Sequence, residues 1–386
     1  MIRTFVVRSA ALAALLVAAP LALRAQGTPS DTAKPVKVVT PNLDFSGWVF
    51  GSFSMQTDSA AKAANGGKAP NKFDVGRAYL TFKMPAGDRA SVRVTTDIRQ
   101  GQSAAGAYQG WFVRLKYAYL QYDYLKKTPT GASAFARIGA LHTVVIDHEE
   151  NFWPRYLDKT PIEHFGFFSS ADIGLATGIT LPNKLGEVYA TITNGNGYEN
   201  PEADRFKDYA ARLSITPLAK TPGLLSTFTI SPWVYRGNAA SKFAVTDSVT
   251  DGLARNRWGV FVGNKDRRLS FGADYAERTD GNETGTDVAS RVVTDVTGQL
   301  FDVFAVVRPL EFSNPSLKSS FGLVGRFDHF KPNKDVDGYT RFIVAGIFWE
   351  PTPKTSIALD YQESKPQSGL AGTESKTWFL HWQAYF

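Results

Sequence analysis

From Leu43 to the carboxyl end, apolar and polar side chains alternate in short runs broken by turn-forming residues. Phe45, Val49, Phe53 and Met55 alternate with Asp44, Ser46, Ser52 and Ser54. Ile173, Leu175, Thr177, Ile179 and Leu181 alternate with Asp172, Gly174, Ala176, Gly178 and Thr180. A period of two means a β-strand with one apolar face. Sixteen such runs lie near 43–56, 73–84, 89–100, 111–124, 134–144, 172–181, 187–194, 206–216, 226–236, 256–263, 268–278, 297–308, 318–330, 339–350, 354–363 and 375–386. The connections are of two kinds. Short ones include Pro-Ala-Gly-Asp at 85–88 and Pro-Thr-Pro-Lys at 351–354. Long ones include Thr57–Lys72, Asn194–Arg205, Gly237–Asn256, Thr279–Thr294 and Gln367–Glu374. Short turns at one end and long loops at the other are the layout of a transmembrane barrel.

The last run is the most distinctive. Phe386, Ala384, Trp382, Leu380 and Trp378 form an apolar stripe, and Tyr385, Gln383 and His381 interleave with it. Closing a barrel needs such a strand, with one face to lipid and the other to water. A final strand of a soluble sandwich is the competing reading. In the barrel reading His381, Gln383 and Tyr385 face inward, while Trp378, Trp382 and Phe386 face lipid.

The start of the chain agrees. Arg3 and Arg8 precede an apolar run from Ala10 to Leu23, and Leu23-Arg24-Ala25 stands before Gln26, so residues 1–25 read as a cleaved secretory signal peptide. Residues 26–42 read as a flexible periplasmic lead-in and 43–386 as the barrel. No later run is long and apolar enough for a membrane helix. Cysteine is absent, which removes disulfides and thiolate metal sites. Aromatic residues make up 13% and the mean hydropathy is slightly negative, as expected of aromatic girdles around a polar interior. The charge of +7 falls to about +4 without the three leader arginines, too weak an excess for nucleic acid.

The expected fold is therefore all-β: a transmembrane antiparallel β-barrel of about 16 strands, with 18 possible. At this width the interior is an aqueous channel unless something plugs it. Between the fifth and sixth runs lies Val145–Ala171, too long for a tight hairpin. It carries Asp147, Glu149, Glu150, Arg155 and Lys159 among Phe152, Trp153, Tyr156, Phe165 and Phe167. Folded into the lumen, its aromatics would pack on the wall and its charges would line a constriction; an external or trimer-contact loop is the alternative. Inward basic residues on the strands would stand opposite: Arg93, Arg99, Arg114, Lys116, Arg137, Arg212, Arg326 and Arg341. Acids facing bases across a narrow passage create a transverse field. Each arginine also fits a structural ion pair, with Asp97 near Arg99 and Asp328 near Arg326. The Asp147-His148-Glu149-Glu150 cluster lacks a second His at metal-binding spacing, so no metal or cofactor is expected.

Phe73-Asp74-Val75-Gly76-Arg77-Ala78-Tyr79-Leu80, Ala118-Tyr119-Leu120-Gln121-Tyr122, Ala136-Arg137-Ile138-Gly139, Asn194-Gly195-Asn196-Gly197-Tyr198, Gly325-Arg326-Phe327-Asp328 and Gly346-Ile347-Phe348-Trp349 resemble strands of the phosphate-selective porin O/P family. The resemblance is scattered over residues 73–386. It implies a homotrimeric outer-membrane porin in lipid that passes small hydrophilic solutes or inorganic anions, with Arg137 and Arg326 as the matched pore residues. The chain departs from the family's basic ladder by interleaving as many acids as bases, and it has Phe348 where the family tends to have Asn. A sugar or organic-acid channel is a second reading, with Tyr117, Tyr119, Trp233 and Tyr235 as a stacking track or as interface girdle. An outer-membrane hydrolase is a third, weakened by the absence of a Gly-x-Ser-x-Gly elbow.

Overall fold

A computed structural model of the protein describes residues 42–102, 109–202, 204–243, 252–314, 316–367, 370 and 372–386. The expected signal peptide and nearly all of the lead-in lie outside the described residues. The strands are β1 (Asp44–Gln56), β2 (Asn71–Pro85), β3 (Ala90–Gln102), β4 (Gln109–Leu125), β5 (Ser133–His142), β6 (Ala171–Thr180), β7 (Gly186–Thr193) and β8 (Asp208–Ile215). They continue as β9 (Thr229–Ala239), β10 (Leu253–Lys265), β11 (Leu269–Thr284), β12 (Val292–Val307), β13 (Phe321–Lys331), β14 (Thr340–Thr352), β15 (Thr355–Pro366) and β16 (Ser375–Tyr385). Each pairs antiparallel with its neighbours in sequence, and β16 pairs with β1, so the sheet is a closed barrel. Closure gives every strand a hydrogen-bonded neighbour on both sides, although the loop-side part of β4 (109–117) runs beyond its ladder with β5.

All sixteen runs read from the sequence are strands. The hairpin of β11 and β12 reaches further than its apolar pattern. Its ladder continues to Thr284↔Val292, so most of the loop expected at Thr279–Thr294 is strand. Polar residues on both faces of this extension erase the alternation on which the reading relied.

The outer face is apolar. Ile173, Leu175 and Ile179 on β6, Leu213 on β8, Leu323 on β13 and Leu359 on β15 are exposed. Aromatic pairs join neighbouring strands on this surface, among them Phe321 with Trp349 and Tyr361 with Trp378, at ring-centroid distances of 6.1 and 5.3 Å. Among the described residues no helix is long and apolar enough to cross a membrane. An exposed band of this kind, on a sheet whose backbone groups are paired around the ring, is the form a lipid-spanning sheet requires.

The final strand closes the ring as its stripe implies. Phe386 and Gly47 exchange backbone hydrogen bonds, both 3.1 Å. The Phe386 ring lies on Gly47, where an added Cβ would sit 2.0 Å from its Cζ, so any side chain there would displace the terminal ring. His381 faces inward onto Asp360, Trp48 donates to Gln383 and stacks on Tyr385, while Trp378 and Trp382 are exposed outward.

One irregularity matters for the lumen. The register of β3 with β4 runs Thr95↔Tyr117 and then Thr96↔Leu115, leaving Lys116 as the extra residue of a β-bulge. Trp111, Val113 and Leu115 point outward before the bulge, and Leu120 and Tyr122 point outward after it. Lys116 and Tyr117 therefore both enter the lumen, which strict alternation forbids. On the next strand, Gly139 at φ 126° lets β5 approach β4: a Cβ there would lie 2.2 Å from the Ala118 carbonyl oxygen.

Candidate functional site

The segment between β5 and β6 turns into the lumen. It carries two single-turn helices, α1 (Ile146–Glu149) and α2 (Pro161–His164). Thr160 precedes Pro161 in extended conformation, and the proline starts α2 where its missing N–H has no intrahelical partner to lose.

One face of the loop sits on the wall formed by β9 to β15. Phe152 packs on Phe261 of β10 and Trp153 on Phe304 of β12, with centroids 5.0 and 5.3 Å apart. Phe165 stacks on Phe330 of β13 at 4.7 Å, and Phe168 meets Trp233 and Tyr235 of β9, each at 5.2 Å. Wall side chains satisfy the loop's backbone carbonyls. Ser270 donates to Phe152 O, Gln362 to Leu157 O, Arg278 to Phe165 O and Arg326 to Lys159 O, at 3.1, 3.0, 2.7 and 2.6 Å. Buried loop backbone needs such partners, and here the wall supplies them.

Arg326 is the central anchor. Its guanidinium grips Asp328 through Nε and Nη2, at 2.9 and 2.6 Å, and reaches Asp158 through Nη1 at 3.2 Å. Trp153 and Phe342 flank it at 5.2 and 5.0 Å. Burial opposes ionisation of Asp158, but His164 and Arg326 outweigh it and hold the carboxyl down at about 2. The expected Arg326–Asp328 pair is present. Arg326 is buried under the loop, however, so it is a fastening of the loop and no part of an open pore surface. The expected Asp97–Arg99 pair is not formed: Asp97 takes Arg77 and the Tyr198 hydroxyl.

The other face of the loop looks toward β2–β5. Asp147 lies 3.3 Å from His142 Nε2, and its side chain is 56% exposed, so it meets water inside the barrel. Glu150 and Glu163 both grip Arg155. Partial desolvation by the surrounding wall opposes ionisation of Asp147, and His142, Arg93, Lys116 and Arg137 together hold its carboxyl below the usual range. Lys116 also acts electrostatically on Glu150 and Glu163. The three bases are held flat against aromatic faces. Arg93 stacks over Tyr117 at 4.7 Å, Lys116 over Tyr79 at 4.5 Å, and Arg137 over Phe135 and Tyr119 at 4.2 and 4.7 Å. Arg93 and Arg137 approach opposite nitrogens of His142, at 3.2 and 3.4 Å. Three loop acids thus confront three wall bases.

The remaining expected site residues separate. Arg99 and Arg114 both bind Glu199 of the β7–β8 loop, at 2.7 and 2.6 Å. Arg212 pairs with Glu187 and donates to Ser214. Lys159 is exposed beside a cavity of about 200 Å³ shared with Arg77, Arg155 and His381. Two expectations fail on direction. Glu149 is fully buried against the wall, because α1 turns it away from the Asp147 side. Arg341 shares the outward face of β14 with Ile343 and Ile347 and binds Glu363, because Phe342, Val344 and Phe348 occupy the inward positions. Trp233 and Tyr235 are neither girdle nor track: they face inward and Phe168 covers them. Arg77, Tyr79, His142 and Glu163 belong to the site and were missed; Asp74-Val75-Gly76 hides the inward parity of Arg77 and Tyr79.

A space of about 550 Å³ opens beside the loop toward the short turns, lined by Trp48, Glu150, Arg155, Tyr156, Arg308 and Tyr385 among others. His148 bonds Ser231 Oγ at 3.0 Å and lies 3.8 Å from Glu187, an arrangement that resembles a nucleophilic triad. Ser231 is fully buried and donates to Ser214, and Glu187 is engaged by Arg212, so the contact fastens the loop and presents no accessible nucleophile.

No family model matches the chain, and no curated protein matches it. Solved structures do. OmpF of Salmonella typhi, solved with daunomycin, is 15% identical with a TM-score of 0.57, over 89% of this chain and 97% of that one. The anion-selective porin from Comamonas acidovorans is 8% identical with a TM-score of 0.58, over 90% and 100%. OprB of Pseudomonas putida, in a high-pH structure, is 13% identical with a TM-score of 0.55, over 89% and 94%. At these identities the likeness establishes the fold, a closed sixteen-stranded antiparallel barrel of the kind that outer-membrane porins have.

Proposed function

We propose that the protein is an outer-membrane porin, a water-filled channel for passive diffusion of small hydrophilic solutes. The observation that carries this reading is the loop inside a wide barrel, with Asp147, Glu150 and Glu163 on one side and Arg93, Lys116 and Arg137 on the other. Such a passage orients dipolar solutes and slows ions that must shed water. Arg155 neutralises part of the loop's charge, whereas among the described residues the wall bases meet aromatic, hydroxyl, amide and imidazole groups at contact distance. This imbalance supports a weak preference for anions. Phosphate selectivity in particular finds less support, because acids and bases alternate along the lumen wall.

A second reading, a channel specific for sugars or organic acids, draws on Trp48 and Tyr385, which stack at 5.3 Å beside the 550 Å³ space. Its members differ from the track expected from the sequence. A homotrimer fits the fold, and a solved neighbour, OmpT of Vibrio cholerae, is described in a trimer form. Refolded protein in a planar bilayer tests the channel reading directly. Stepwise conductance supports it, and a silent bilayer over a range of voltages refutes it. Block by added sugar, with none by chloride or phosphate, would move the reading to the specific channel.

A further inference from the structure

Under the seated face of the loop, the charges do not balance. Asp274 of β11 stands in register with Asp302 of β12, and Asp302 with Asp328 of β13, so three aspartates form one line across three strands. All three are buried on the inward face. Glu149 of α1 is set down on this row and is itself fully buried. Arg326 is the cation that reaches the row among the described residues, and it is committed to Asp328, Asp158 and Lys159 O. Around the row stand Asp158, Thr160 and His164 from the loop, with His164 Nδ1 2.7 Å from Asp158.

Neither carboxyl oxygen of Asp274 or Asp302 receives a hydrogen bond from a protein donor among the described residues, and the Thr160 hydroxyl is the neutral donor beside Glu149. Three buried carboxylates in contact cannot all stay ionised. A protonated carboxyl has an O–H to donate, so each shared proton turns a repulsion into a hydrogen bond. Burial, reinforced by Asp302, pushes the Glu149 carboxyl well above its ordinary range. No group of three such side chains among the described residues is arranged to hold a metal ion, which favours protons over a cation.

We propose that protons shared among Glu149, Asp274 and Asp302 latch the inward loop to the barrel wall, so that the loop stays docked while the row is protonated and is released when alkaline conditions strip it. The acid comes from both sides of the contact: one carboxyl belongs to the loop and two to the wall. Ionisation therefore drives the two surfaces apart. Because Arg326 holds a different point of the loop, release begins at α1 and leaves the Asp158 contact for last.

Hydrogen exchange of backbone amides 146–165 tests this on the full folded protein in lipid nanodiscs, with and without a chelator. Between about pH 6 and about pH 10, and after correction for intrinsic exchange, protection of α1 should fall by roughly tenfold or more. The variant carrying Glu149→Gln, Asp274→Asn and Asp302→Asn replaces shared protons by amide donors and should keep its protection throughout. Asp302→Asn alone, a milder change, should shift the transition to higher pH. Flat protection in the unsubstituted protein overturns the proposal. So does an unaltered alkaline transition in the amide variants, and so does loss of protection on chelation near neutral pH, which would mean that a cation holds the row. The readout reports docking of the loop whether or not the barrel conducts, so this proposal and the channel reading fail separately.

Discussion

Replacing Arg326 by methionine should loosen the loop without opening the barrel. The change keeps most of the volume between Trp153 and Phe342 and removes the charge. Two acids lose their partner: Asp328, fully buried, and Asp158, with 21% of its side chain exposed. Breaking a buried ion pair from one side costs about 3–5 kcal/mol, because the remaining charge stays buried and uncompensated. The Lys159 carbonyl also loses its donor, worth about 1 kcal/mol more. Lifting the loop lets water reach the stranded Asp328 while β13 keeps its backbone ladders with β12 and β14, so the cost falls on loop docking. Exchange of loop amides should therefore accelerate by at least two orders of magnitude while amides of the strands hardly change. Heat-modifiable migration on a gel should persist. The double variant Arg326→Met/Asp328→Asn removes both partners and should recover part of the loss. A loop that exchanges at its original rate in Arg326→Met would show that aromatic packing alone seats it, and the anchoring argument would be wrong.

Further expectations concern charge and pH. Asp147→Asn removes the most water-exposed acid of the constriction; at roughly 8 Å in a water-like medium one unit charge is worth about 0.5 kcal/mol to each ion, with opposite signs, so the anion-to-cation permeability ratio should rise about fivefold in a salt gradient. Asp158 is depressed from 3.8 to about 2, so its contribution to loop docking is complete above about pH 4 and is lost as the pH falls through about 2. The shift corresponds to on the order of 2 kcal/mol, and acid titration of loop proteolysis should show the loss in that window. Arg341→Ala should leave both conductance and reversal potential unchanged, because the side chain is outside the barrel with Glu363; a change in either would place it in the pore.

The strand plan was legible because a membrane sheet has to repeat the same inside–outside contrast on every strand. The stripe from Trp378 to Phe386 and the runs around Ile173 and Leu359 needed no partner to be read. Direction into the lumen was harder to read, for physical reasons that the residues show. Lys116 occupies a bulge, so parity counted from Leu115 disagrees with parity counted from Leu120. Arg341 stands at the start of β14 near the loops, where a charged side chain can face outward beside Glu363 without meeting the apolar band. Glu149 and Asp147 are two positions apart on a single helical turn, and local sequence does not say which of them the wall will cover. The aspartate row is invisible in any one strand. Asp274, Asp302 and Asp328 each look like an ordinary inward polar residue until register puts them side by side.

The claim at the centre is that the loop's free face and the β3–β5 wall form the selective passage of an open channel. Single-channel recording of the protein and of the variant Arg93→Gln/Lys116→Gln/Arg137→Gln, each in a tenfold potassium chloride gradient, addresses it most directly. The unsubstituted protein should conduct with a reversal potential of weakly anionic sign, and the variant should conduct with its sign reversed toward cations. Equal reversal potentials in the two proteins would contradict the account.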